Sequence, residues 1–272
     1  MGERTHQQVL TMRVALIGAG RLATNLAVGL QSGGHEVVQV YSRTLASAEA
    51  LALRLGTMAT NNLDAVVTDA DAFVIAVKDA VLPEVIARVT TGKKDEAVFL
   101  HTAGSMPMAA FEGSGARHYG VLYPMQTFSK ERIVDLARVP FFIEGCDNVA
   151  LRTADRLACS VSNDVRELSS ADRRQLHLAA VFACNFSNHC YDLSARVLKR
   201  HGLPFSVMLP LIDETAAKVH AMSPHEAQTG PALRYDENVI QAQMRLLDGD
   251  EQAQRIYEEM SKSIHETHLH ND

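Results

Sequence analysis

The stretch that decides the fold is Val14-Ala15-Leu16-Ile17-Gly18-Ala19-Gly20-Arg21-Leu22-Ala23. An apolar strand runs into Gly-x-Gly-x-x-Ala and then into a helix, the turn that cradles a dinucleotide pyrophosphate. Gly18 allows the tight turn, Gly20 lets the backbone approach the phosphates, and Ala23 lets the helix pack close to the strand. Ala19, Arg21 and Leu22 complete the turn, whose helix offers free N–H donors at the positive end of its dipole. The next strand, Val37 to Tyr41, ends in Ser42-Arg43-Thr44. A site for NAD places Asp or Glu here, to hold the ribose 2′-hydroxyl. A cation flanked by two hydroxyls suits a 2′-phosphate instead, so the expected cofactor is NADP(H). The competing reading makes Arg43 a solvated loop residue and Ser42 or Thr44 a cap for a helix over Leu45 to Gly56. Capping and phosphate binding are compatible.

Composition narrows the function classes. With a net charge of −6 the chain has no basic footprint for nucleic acid. Its 47% hydrophobic content suffices for a real core. No apolar run reaches the roughly 18–20 residues that cross a bilayer, so no membrane association is expected. Met1 to Thr11 is polar, lacks the apolar region of a signal peptide, and is expected to be a disordered tail. Cys146, Cys159, Cys184 and Cys190 form no CxxC and no zinc spacing, which suits thiols in a reducing cytoplasm. His265, His268 and His270 sit in a polar tail and are expected to be a solvated end. No metal site is expected.

Strands and helices alternate over the first part of the chain. Strands are expected at Arg13 to Ile17, Glu36 to Tyr41, Ala72 to Val77, Ala97 to His101, His118 to Tyr123 and Pro140 to Glu144. Runs such as Ala72-Phe-Val-Ile-Ala-Val77 lack polar interruption, as in strands covered on both faces. With helices between them, the pattern implies an α/β Rossmann domain with a doubly wound parallel sheet. Ligands bind such a sheet at the carboxyl ends of its strands. There the sequence places Val77-Lys78-Asp79, His101-Thr102-Ala103-Gly104-Ser105 and Pro124-Met125-Gln126-Thr127-Phe128. Val77, Lys78, His101, Thr102 and Gln126 are the candidates for cofactor contact, with Thr127 beside Gln126 on the nicotinamide side. Ordinary turn chemistry also favours Asp, Gly, Ser and Pro at such positions.

After Ser169-Ser170-Ala171-Asp172 the pattern turns wholly helical, so the domains are expected at residues 12–168 and 169–268. A long helix from Ala171 to about Arg200 ends at the stop signal His201-Gly202. On it, His177, Asn185, Asn188 and Asp192 fall within roughly 80° of arc at about 100° per residue. Leu178, Phe182, Phe186 and Leu193 form a neighbouring apolar face. Such a polar stripe is either a solvated face or a site. Its His, Asn and Asp differ from the Lys and Glu of an ordinary exposed helix. Farther on, Thr229-Gly230-Pro231 with Arg234 and Asp236 is either a turn delivering a cation to a cleft or a helix link capped by Asp236.

These marks together make the chain resemble a group of bacterial NADP oxidoreductases, a Rossmann domain followed by a helical domain of unassigned function. They are Gly18-Ala-Gly20, Ser42-Arg43-Thr44, His101 to Ser105, Tyr123 to Phe128, the His177 helix and Thr229-Gly230-Pro231 with Arg234 and Asp236. The wider superfamily includes pyrroline-5-carboxylate reductase, deazaflavin-dependent NADP oxidoreductases, ketopantoate reductase and β-hydroxyacid dehydrogenases. The last group carries a catalytic Lys on the first long helix of its second domain. Counting back from the Gly202-Leu203 turn at family spacing, the resemblance places His177 there, with Val181 where that group has Asn. The function expected is NADPH-dependent reduction of a small carbonyl or imine, with His177 as general acid and Asn185, Asn188 and Ser105 orienting substrate. The alternative is a non-catalytic NADP(H)-binding redox sensor. A methyltransferase also begins with a Gly-rich turn, but Arg43 stands where it wants a carboxylate. By superfamily analogy the helical domain is expected to form a homodimer.

Overall fold

The computed structural model describes residues 10–269; Met1 to Val9 of the expected tail, and His270, lie outside the described residues. The chain divides into two compact units, one reaching Cys184 and the other beginning at Asn185.

The first unit is built on one eight-stranded sheet in the order β3-β2-β1-β4-β5-β6-β7-β8. Its strands are β1 (Arg13–Ile17), β2 (Glu36–Tyr41), β3 (Met58–Thr60), β4 (Ala72–Ile75), β5 (Val98–His101), β6 (His118–Pro124), β7 (Phe141–Gly145) and β8 (Val165–Glu167). Helices α1 (Arg21–Ser32), α2 (Leu45–Leu55), α3 (Leu82–Val89) and α4 (Asn148–Cys159) flank it. Side chains alternate across a strand, and β1 shows the result. Val14 and Leu16 enter one core with Leu26, Leu30, Leu51 and Leu157 from α1, α2 and α4. Ala15 and Ile17 enter the opposite core with Phe73, Phe99 and, from α3, Val85 and Ile86. Two buried faces explain why these strands are apolar without interruption.

The α/β Rossmann architecture expected from the alternation is therefore present, with one departure from an all-parallel sheet. β7 pairs antiparallel with β6, Leu122 opposite Ile143, and β8 follows β7 in parallel. A parallel return needs a crossover of a dozen or more residues, usually a helix. Residues 125–140 hold only the single turn Leu136–Arg138, so the chain comes back reversed.

Helix α5 (Ser170–Ala180) starts from Ser169, whose hydroxyl oxygen caps the Asp172 N–H. The first unit thus runs past the expected division at 168/169, because α5 is fastened to the sheet by contacts described below. The long helix expected to Arg200 is not uniform. Val181–Phe186 is a π-helical stretch, and α6 (Ser187–Arg200) continues after it. The extra residue per turn breaks the 100° spacing that joined His177 to Asn185, Asn188 and Asp192 in one stripe.

In the second unit, α6 is followed by α7 (Leu209–Ala221), α8 (Glu237–Arg245) and α9 (Glu251–Leu269). Asp236 caps α8 through the Val239 N–H, which favours the helix-link reading of that segment. The expected solvated histidine end is instead packed. His268 stacks on His225 with ring centroids 3.9 Å apart, and His265 on Tyr235 at 4.6 Å. The expected apolar core face of the long helix is also overturned: Leu178, Phe182 and Phe186 are 53%, 62% and 51% exposed.

Candidate active site

The glycine turn is built for close approach to its open side. Gly18 has φ +129°, and a Cβ there would lie 2.2 Å from the Ala76 carbonyl oxygen. Only glycine takes both that conformation and that contact. The Gly18 N–H donates to the Tyr41 carbonyl at 2.8 Å, tying the turn to the end of β2. Gly20 is the N-cap of α1 and no side chain caps the helix. A Cβ on Gly20 would meet nothing within 4 Å, so the turn is open on that side. Ala19 is buried and Arg21 exposed. An uncapped helix start behind a glycine cradle fits a pyrophosphate.

At the end of β2, Ser42 is half-buried while Arg43 and Thr44 are exposed. Thr44 is the N-cap of α2, yet its hydroxyl makes no capping bond.

The strand-end residues of β4 and β5 behave differently from one another. Val77 is half-buried and Lys78 exposed. Asp79, exposed beside Lys78, accepts a hydrogen bond from the Ser105 hydroxyl, so two strand-end loops are tied at the carboxyl edge. His101 and Thr102, by contrast, turn inward. His101 is fully buried; its Nδ1 accepts the Ala103 N–H at 3.2 Å and its Nε2 lies 3.3 Å from the Pro107 carbonyl. Burial, aided by the nearby Arg173 charge, lowers its pKa to about 4. Thr102 is buried with its hydroxyl 3.4 Å from the Ile75 carbonyl. The side chains of His101 and Thr102 thus brace the loop from beneath. Gln126 is exposed, and its Oε1 accepts the Thr127 N–H at 2.8 Å. Buried Asn25 holds the loop beyond it, donating to the Ser129 carbonyl and accepting the Val134 N–H.

His177 on α5 reaches this same edge. Its Nδ1 lies 3.0 Å from the Tyr123 hydroxyl, at the end of β6. Gly104 presses on both: a Cβ there would lie 2.5 Å from His177 Nδ1 and 2.9 Å from Tyr123 Cζ. One turn before His177, Arg173 is completely buried. Its guanidinium donates to Glu144 of β7 at 2.5 Å and to the Met106 carbonyl at 2.7 Å. Residues four apart share a helix face, so the ion pair that docks α5 also aims His177 over Gly104. Ser105 belongs to the same loop. Asn185 is exposed and is the first residue of the second unit.

Tyr123, Gly104, Arg173 and Glu144 were not among the residues singled out for the site. An Arg near the start of a helix, where the dipole disfavours it, and a carboxylate within apolar β7 were the available signals. Among the described residues no group of three His, Cys, Asp or Glu could hold a metal ion.

Two families match the chain. One described as "NADP oxidoreductase coenzyme F420-dependent" matches residues 13–103, and a domain of unknown function, DUF2520, matches residues 139–264. The "putative NADP oxidoreductase" of Bacteroides fragilis is 50% identical, with TM-score 0.92, over 95% of this chain and 100% of that one. An imine reductase of Myxococcus stipitatus, solved with NADP+, is 17% identical at TM-score 0.65, covering 95% of this chain and 93% of its own. The 1-pyrroline-5-carboxylate reductase of Streptococcus pyogenes is 14% identical at TM-score 0.63, covering 94% and 99%. At those identities the last two share the fold. No curated protein matches.

Proposed function

The chain belongs to the NADP oxidoreductase family of the Bacteroides fragilis protein, and from that premise we propose that it reduces a small carbonyl or imine compound with NADPH. The observation that carries this reading is the uncapped start of α1 behind Gly18 and Gly20, with exposed Arg43 at the end of the neighbouring strand. Ala19, Arg21 and Leu22 frame the pyrophosphate, and Ser42, Arg43 and Thr44 take the 2′-phosphate. Val77, Lys78 and Gln126 border the rest of the cofactor. Hydride is the chemistry NADPH supplies when bound. The chain itself must orient the substrate and deliver a proton. His177 is the group for the proton, since an imidazole can serve as a general acid, and Ser105 orients the substrate.

Calorimetric titration with NADPH and NADH tests the cofactor assignment. Arg43→Ala should weaken NADPH binding at least tenfold, toward the NADH value, while leaving NADH unchanged; equal loss for both would remove Arg43 from the phosphate site. His177→Ala should then abolish most turnover of any carbonyl or imine found in a substrate panel, with NADPH affinity within a few-fold. A sensor that binds NADP(H) without turnover has no observation in its favour.

The helical unit supports self-association. Leu203, Val207, Leu209, Leu211 and Val219 are all exposed, more apolar surface than an isolated chain ordinarily shows. An apolar groove of about 200 Å³ lies between α6 and α9, walled by Val197, Leu247, Ile256 and Met260. A second copy of the chain is the proposed occupant of this surface, giving a two-fold dimer. No described helix is long and apolar enough to cross a membrane, and none of the four cysteines is in a disulfide. Both features support action in the reducing cytoplasm.

A further inference from the structure

The contact between Tyr123 and His177 settles which imidazole nitrogen faces a substrate. An imidazole nitrogen either donates or accepts, whereas a phenol carries one proton to donate. Tyr123 is buried, and the charge that acts on it is the Arg173 guanidinium, a group with donors only. Among the described residues, the hydrogen bond of the Tyr123 hydroxyl is the one to Nδ1, 3.0 Å away. If a neutral His177 carried its proton on Nδ1, the phenol would have to accept it. The phenol's own proton would then have no acceptor among the described residues. The opposite arrangement, phenol donating to a bare Nδ1, satisfies both groups.

We infer that Tyr123 is a positioning residue that holds neutral His177 in its Nε2–H tautomer. Protonation adds a proton at Nδ1 and turns the phenol from donor to acceptor, while Nε2–H stays a donor in both charge states. The reacting atom it fits is therefore an acceptor, a carbonyl oxygen or an unprotonated imine nitrogen. Substrates whose reacting nitrogen already carries a proton find no acceptor on this ring. Burial raises the pKa of Tyr123, against a smaller opposing effect of Arg173, so the phenol keeps its proton at neutral pH. Gly104 completes the device, since any side chain there would drive the two rings apart.

This deepens the proposed role of His177, but its test needs no turnover. Long-range proton–nitrogen spectra of the full chain distinguish a protonated ring nitrogen from a bare one. They would be recorded above the ordinary imidazole pKa of about 6.5, with His177→Gln identifying the signal. Expected for the native protein is a protonated Nε2 and a bare Nδ1 carrying the shift of a hydrogen-bond acceptor. Tyr123→Phe should remove that acceptor shift, and Gly104→Ala should do the same with the tyrosine intact. Calorimetric NADPH affinity within a few-fold of native would show that both variants are folded. A protonated Nδ1 in the native protein overturns the inference, as does an acceptor shift that survives Tyr123→Phe. Either result leaves the reductase reading standing. Conversely, a confirmed tautomer in a protein without turnover would sink the reductase reading alone.

Discussion

In the first unit Val14, Leu16, Leu26 and Leu30 are completely enclosed, and strands β1, β2, β4 and β5 each feed two cores. In the second unit, Val207, Leu211 and Val219 stand exposed, and the buried apolar residues among those described are Ala232, Ile240 and Ala253. Residues of equal hydrophobicity thus meet opposite fates in one chain. The contrast teaches that apolar composition alone does not decide which residues end up enclosed: the sheet's strands are covered on both faces, whereas the helical unit leaves much of its apolar surface open.

The sharpest way to break this comparison is to remove the buried guanidinium of the Arg173–Glu144 ion pair in the sheet unit. Arg173→Met leaves half-buried Glu144 with the Ser170 N–H and hydroxyl as its remaining donors and should cost about 3–5 kcal/mol in chemical denaturation. A loss under about 1 kcal/mol would mean that the sheet unit does not depend on its buried polar contacts.

Acidification should produce the next largest effect. Burial holds the pKa of folded His101 down at about 4, below the ordinary imidazole value of about 6.5, so the unfolded chain takes up its proton first as pH falls. Its contribution is complete above about pH 6.5 and is lost progressively down to about pH 4, in total about 3 kcal/mol. His101→Asn, which keeps an acceptor for the Ala103 N–H, should flatten that slope. An unchanged slope would assign the acid sensitivity to other groups.

The smallest effect per chain, and the most telling for the second unit, is expected from Leu211→Glu. Changing an exposed residue alters the stability of a lone chain by about 0.5 kcal/mol or less. If the face is covered by a second copy, light scattering at micromolar concentration should instead show the mass halved, and Tm should lose its dependence on protein concentration. A native protein that is already monomeric under those conditions would sink the dimer.

How much of this was legible in the sequence depended on where the information sits. Strands β1, β4 and β5 announce themselves because burial on both faces leaves the runs Val14 to Ile17, Ala72 to Ile75 and Val98 to Leu100 without a polar residue. The glycine turn does so because Gly18 serves a backbone need visible in the residue type itself. The reversal of β7 is set by the connection before it; the clue was a span between β6 and β7 without a helical pattern. The π-helical stretch uses the same residues an α-helix would, so the stripe drawn from His177 to Asp192 assumed a spacing the chain does not keep. Tyr123 was hidden for a different cause. Its role arises only when β6, the Gly104 loop and α5 converge, and no local pattern records that meeting. A strand-end histidine such as His101 looks the same in sequence whether its ring points out or in.

The reversed strand has one last consequence. With β7 and β8 running against β6, α5 begins beside the middle of the sheet, where Glu144 lies opposite Val121, and climbs toward the carboxyl edge. The segment from the Ser169 cap to His177 therefore works as a ruler. One residue inserted between Arg173 and His177 would lift the imidazole by about 1.5 Å and swing it by about 100°, away from Tyr123 and onto the flank where Leu178 now stands. Lengthening the loop before β8 would leave that reach untouched. Among descendants of this fold, variation in chain length should therefore accumulate before Val165 and be absent from the two helical turns that follow Ser169.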